Sequence, residues 1–129
     1  MPTFSLRSKE RLATCHPDLR AVCEELIKYI DFSVLCGHRR KAEQEQAVAD
    51  GKSRAVWPTS AHNKLPSLAV DIAPYPLDWK DIGSFKQLYG AFTVVARQLK
   101  EQGKIKHTFV WGGNWRKLKD YPHYEIKEK

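Results

Sequence analysis

Apolar residues near the start of the chain fall at helical spacing. Leu19, Val22, Cys23, Leu26, Ile27 and Ile30 recur in steps of three and four, which predicts an amphipathic helix from Pro17 to about Ile30. Pro17 suits its first turn, where a missing N–H costs nothing. The pattern then shortens: FSVLC, residues 32 to 36, followed by Gly37, reads as a strand ending in a tight turn. A second helix is expected from Lys41 to Asp50, stopped by Gly51. Residues 52 to 67 show no periodicity and contain Pro58 and Pro66, so they read as a long ordered loop, a length usually tied to function. LAVDIA, residues 68 to 73, is the next strand, ended by Pro74 and Pro76. Phe85, Leu88, Tyr89, Phe92, Val95, Ala96 and Leu99 share one face of a third helix, from about Asp81 to Gln102, with Gly103 to cap it. HTFVWGG (107 to 113) and HYEI (123 to 126) are the last strands. The connections before them are too short for helical crossovers, so antiparallel pairing is expected. The predicted class is α+β, an antiparallel sheet with about three helices packed against it.

Composition narrows this to one unit. With 129 residues, 42% of them hydrophobic, the chain can fill one core but not two ordinary ones. It has no apolar run of membrane-spanning length, and MPTFSLRSKERL lacks the apolar stretch of a secretory signal, so synthesis as a soluble cytoplasmic protein is expected. Cys15, Cys23 and Cys36 form no CxxC pair and read as small buried hydrophobes. A net charge of +7 favours a polyanionic partner such as nucleic acid, an anionic membrane or bacterial cell wall. The basic residues, among them Arg7, Lys9, Arg11, Arg39, Arg40, Lys41, Lys52, Arg54, Lys127 and Lys129, are scattered and carry no nucleic-acid motif, so most read as solvated surface.

The candidate chemistry begins at Asp71. Flanked by Val70 and Ile72 in a strand expected to be covered on both faces, its carboxylate needs a partner: a metal, a buried arginine or a loop to cap. Of the five histidines, His16 reads as a helix cap or staple, His38 belongs to a turn and His107 begins a strand. His62 and His123 differ, because Asp71 follows the first and Asp120 precedes the second by three residues. Hydrolytic zinc sites take three ligands of these types and leave a fourth position for water.

These segments resemble a known family. SAHNKLPSLAVDIAPYP is similar to the SxH…AxD segment of zinc peptidases that cut peptidoglycan stems, the VanY-type D-alanyl-D-alanine carboxypeptidases and the phage L-alanyl-D-glutamate endopeptidases. CGHRRKAEQEQAVADGKS resembles their upstream segment, with Gly and Arg at a strand end, a Gln-bearing helix and Gly-x-Ser. WGGNW and DYPHYEI resemble the closing W-G-x-x-W and D-x-x-H-x-E motifs. The likeness runs in family order from about Leu12 to Ile126.

The resemblance implies that His62, Asp71 and His123 bind Zn2+ in a cleft, that Asp120 is the catalytic base, and that Arg39 donates to the substrate carbonyl, with Arg40 its competitor. It further suggests that Ser60 steadies the loop or binds substrate backbone, that Glu125 bonds a ligand or positions substrate, and that Trp115, with Trp111, walls the cleft. Two departures stand out. Eight residues separate His62 from Asp71 where many members have six and a turn glycine, and Asn63 to Pro66 occupy the difference. The chain also ends in a basic tail after Ile126, so residues 1 to 129 are expected to form a single peptidase domain without a cell-wall-binding module. The implied function is that of a phage-type endolysin cutting the L-alanyl-D-glutamate bond of peptidoglycan. Such an enzyme would be a monomer that binds no nucleic acid, does not insert into the membrane and accumulates in the host cytoplasm until the membrane is permeabilised. The rivals are a D-alanyl-D-alanine carboxypeptidase, a non-catalytic wall- or polyanion-binding module, and a small nucleic-acid-binding protein that rests on charge alone.

Overall fold

The computed structural model describes residues 2–127, so Lys129 and the last of the basic tail lie outside it. Its elements are α1 (Leu6–Leu12), α2 (Pro17–Leu26), β1 (Phe32–Cys36), α3 (Lys41–Ala49), β2 (Ala69–Pro74), α4 (Ile82–Glu101), β3 (Phe109–Trp111) and β4 (His123–Ile126), with 3-10 turns at Ala61–Asn63 and Gly112–Asn114. The strands form one antiparallel sheet in the order β1-β2-β4-β3. The α+β architecture is the expected one.

Alternation along the strands separates two faces. Val34, Val70, Ile72, Tyr124 and Ile126 point to a core completed by Leu19, Val22 and Leu26 of α2 and by Phe85, Leu88, Phe92, Val95 and Leu99 of α4. Asp71 and His123 stand opposite each other in the β2–β4 register and face the other way. Both helices therefore pack on one face, and the second face is a cleft instead of the second covered layer expected from the sequence.

Helix α1 was not visible in the apolar pattern. Ser5 caps it, accepting from the Ser8 backbone N–H, and the helix lies against the outer edge of the sheet. There the Ser8 hydroxyl accepts from the Val34 N–H and the Arg11 guanidinium donates to the Val34 carbonyl. These bonds occupy an edge strand that would otherwise present free backbone groups. Helix α2 ends at Leu26, earlier than expected, and continues to Ile30 as turns whose N–H groups bond back to Glu25 and Leu26. The strand expected over 107 to 113 shortens to three residues because Gly112–Asn114 coil into a 3-10 turn.

Candidate metal-dependent active site

Three elements deliver the central groups. Asp71 lies in mid-β2 and His123 at the start of β4, held side by side by strand pairing. His62 arrives on the Ala61–Asn63 turn, which Ser60 and Asn63 cap reciprocally: the Ser60 hydroxyl accepts from the His62 N–H, and the Asn63 side chain accepts from the Ser60 N–H. Ser60 thus shapes the turn that carries a site residue. In the segment that departs from the family spacing, Asn63 is buried and donates to the Arg39 carbonyl, whereas Leu65 is exposed at the surface.

The three side chains converge. His62 Nε2 and His123 Nδ1 each lie 3.1 Å from Asp71 Oδ1, and the two nitrogens are 3.3 Å apart. A tetrahedral ion with ligand bonds of about 2.0 to 2.2 Å spaces its ligands by roughly 3.4 Å, so this triangle fits one. The opposite ring nitrogens are tied down: His62 Nδ1–H donates to the Gly37 carbonyl at 2.7 Å and His123 Nε2–H to Glu125 at 2.6 Å. In the neutral rings those bonds fix the tautomers and put the lone pairs on the inward nitrogens, as ligating histidines require. Glu125, two residues beyond His123 on the same strand face, is therefore the partner that orients that ring.

Electrostatics follow from this packing. Burial opposes charge at both rings, but the Asp71 carboxylate outweighs it and raises His62 to about 10 and His123 to about 9. Burial likewise opposes ionisation of Asp71, and the two imidazoles hold it well below the usual carboxylate range. Asp120 behaves differently: burial and the nearby Asp71 charge raise its carboxyl above the ordinary value. Its Oδ2 stands 4.0 Å from His123 Nδ1, beside the triangle and outside it. Gly112 makes that placement possible. The Asp120 N–H donates to the Gly112 carbonyl, and a Cβ on Gly112 would run into the Asp120 backbone.

Arg39 and Arg40 part company. Arg39 NH2 lies 3.6 Å from Asp71 Oδ2, whereas Arg40 points to solvent and pairs with Glu43. Trp115 sets its ring 5.0 Å from that of His123 and walls a cleft of about 940 Å³ that also contains Arg39, Asp71, Asp120 and Glu125. Trp111 is a core residue, with its indole N–H donated to the Tyr121 carbonyl. Cys15 and Cys23 are buried as expected, but Cys36 departs from that reading. A bulge at Leu35 pairs Cys36 with Asp71 and turns its thiol to within 3.8 Å of both His62 Nδ1 and Arg39 NH2. No sequence signal marks such a bulge. Gln44, fully buried against Arg39, is a second site neighbour that the apolar pattern misses.

Two imidazoles and a carboxylate able to hold a divalent ion, flanked by a further carboxylate and a guanidinium in a deep cleft, define a metallopeptidase-type hydrolase centre. The chain belongs to the phage L-alanyl-D-glutamate peptidase family, whose profile matches residues 2–129. It is also similar to the crystal structure of the L-Ala D-Glu endopeptidase ChiX of Serratia marcescens, with a TM-score of 0.78 and 31% identity over 97% of this chain and 90% of that one.

Proposed function

We propose that the protein is a zinc-dependent endopeptidase that hydrolyses the L-alanyl-D-glutamate bond of peptidoglycan stem peptides. The observation that carries this reading is the convergence of His62 Nε2, Asp71 Oδ1 and His123 Nδ1, with their outward partners already tied. These three residues would hold the ion. When bound, zinc supplies Lewis acidity toward the scissile carbonyl and makes a water proton easier to remove.

The remaining chemistry belongs to side chains of this chain. Asp120, with a carboxyl raised above its ordinary value, takes a proton from the attacking water as oxygen bonds to the alanyl carbonyl carbon. It returns that proton to the D-glutamate nitrogen as the C–N bond breaks. Arg39 donates N–H groups to the carbonyl oxygen as negative charge grows there. Glu125 holds His123 in register, Ser60 fixes the turn bearing His62, and Trp115 shields one side of the cleft from water. The positive charge suits an anionic wall. Among the described residues no helix is long and apolar enough to cross a membrane. We further propose a monomer that accumulates in the host cytoplasm and reaches the wall after membrane permeabilisation.

The test is digestion of purified peptidoglycan by zinc-loaded and chelator-treated protein, with the released peptides identified by mass spectrometry. Cleavage on the carboxyl side of L-alanine that disappears on chelation is expected. Release of a terminal D-alanine alone would select the carboxypeptidase, and bound zinc without cleavage would leave a wall-binding module.

A further inference from the structure

Gln44 is wholly buried, and it is the one buried residue of α3 among the described residues. An amide at that depth is costly unless its hydrogen bonds are met. All four of its bonding positions are used. The oxygen accepts from Arg39 NH1 at 2.9 Å and from Asn63 Nδ2 at 3.3 Å, and the NH2 group donates to the Ser53 hydroxyl at 2.9 Å and the Ala55 carbonyl at 2.7 Å. One partner is the arginine facing Asp71, one belongs to the turn that carries His62, and two lie on the loop lining the cleft. An apolar side chain would anchor α3 by burial alone. The amide adds a direction.

That direction matters because the guanidinium has a competing anchor. Arg39 NH2 is 3.6 Å from Asp71 Oδ2, and opposite charge draws it closer. We propose that Gln44 is the positioning residue for Arg39: its carbonyl holds the guanidinium off Asp71 and aimed into the cleft, while Ser53 and Ala55 hold the amide from behind. A neutral acceptor suits the task, since a carboxylate in the same place would bind the arginine and cancel the charge the reaction uses. The proposal rests on the reading of Arg39 as the donor to the substrate carbonyl.

A double-mutant cycle on the zinc-loaded, full-length protein tests it, with a soluble stem peptide as substrate. Gln44→Met keeps the length and removes the amide. In the parental background it should lower kcat by about ten- to a hundredfold, the scale of a misplaced catalytic group, with KM changed by less than about twofold. In the Arg39→Ala background the same substitution should change kcat by less than about twofold, because its target is gone. Equal losses in both backgrounds overturn the proposal and leave Gln44 a packing residue. If Arg39→Ala lowers kcat and Gln44→Met does not, the positioning role alone falls. If Arg39→Ala leaves kcat unchanged, the reading of the arginine falls first and the proposal with it. Should Gln44→Met fail to fold, Ser53→Ala removes one bond behind the amide. It is expected to cost about two- to fivefold in kcat with Arg39 present and nothing without it, and the same loss in both backgrounds overturns the proposal.

Discussion

The protein contains two clusters of two histidines and an aspartate, and they do opposite things with the same groups. In both, the imidazoles meet edge to face with centroids 5.0 Å apart. In the cleft, the outward nitrogens of His62 and His123 donate to Gly37 and Glu125, so the inward nitrogens converge on Asp71 Oδ1 and offer lone pairs once their protons leave. At the start of α2, the Nδ1 atoms of both rings are spent on the chain itself. His16 Nδ1 accepts from the Asp18 N–H as a helix cap, and Asp18 Oδ2 accepts from the N–H groups of Lys106 and His107 and from His107 Nδ1. The first cluster has the spacing to hold an ion, and the second straps the segment before β3 to α2. Residue type does not separate them; which groups the ring nitrogens bond does.

The comparison breaks most visibly at the ligands. His123→Ala should lose bound zinc and reduce peptidoglycan cleavage to background, whereas His107→Ala should keep one zinc per chain and the parental rate, as read by metal analysis and peptide release. Parental cleavage by His123→Ala would reverse the assignment of the two clusters. Asp120→Asn should keep the ion and lose about a thousandfold in kcat, the scale of a lost general base. A zinc-free Asp120→Asn protein would instead make Asp120 a ligand.

Smaller effects sharpen the contrast. Glu125→Gln should weaken zinc binding by about ten- to a hundredfold by loosening the tie that fixes the His123 tautomer. In the parental apoprotein His62 and His123 are raised to about 10 and 9, so an incoming ion must displace their protons. Apparent zinc affinity should therefore rise with pH between 6 and 9, as measured by competition with a chelator of known affinity. A flat profile would mean that the rings are already deprotonated in the apoprotein.

The sequence was most readable where periodicity and burial coincide. The α2 and α4 faces, the alternation of β2 and the order of His62, Asp71, Asp120 and His123 all follow from local spacing or from resemblance. The part that escaped is set by contacts distant in sequence. Helix α1 has little apolar periodicity and is held by bonds to the β1 edge, and Cys36 enters the cleft only because a bulge shifts the register beside Asp71. The resemblance marked a glutamine in this helix but not what Gln44 does, since its partners lie on three separate segments. His16 was legible as a cap or staple from its place before Pro17, but nothing local tied His107 to Asp18.

The smallest expected effect lies in that strap and falls on stability alone. Burial disfavours the Asp18 carboxylate, yet the His107 side chain and the two backbone N–H groups outweigh it and hold the carboxyl below its ordinary value. A pKa depressed on folding contributes stability above the unfolded value, about 3.9, and that contribution fades as pH drops through the lower folded value. Asp18→Asn keeps the shape and can present its amide oxygen to the same three donors but loses the charge, so at pH 7 it should cost about 1 kcal/mol with kcat and zinc content unchanged. Denaturant unfolding of both proteins between pH 7 and pH 3 reads the difference. It should be widest at neutral pH and narrow below about pH 4, where the unfolded chain takes up the proton first and the folded carboxylate follows at lower pH. A constant gap across that range would assign the cost to shape instead of charge, and a loss of zinc with the substitution would show that the two clusters are coupled.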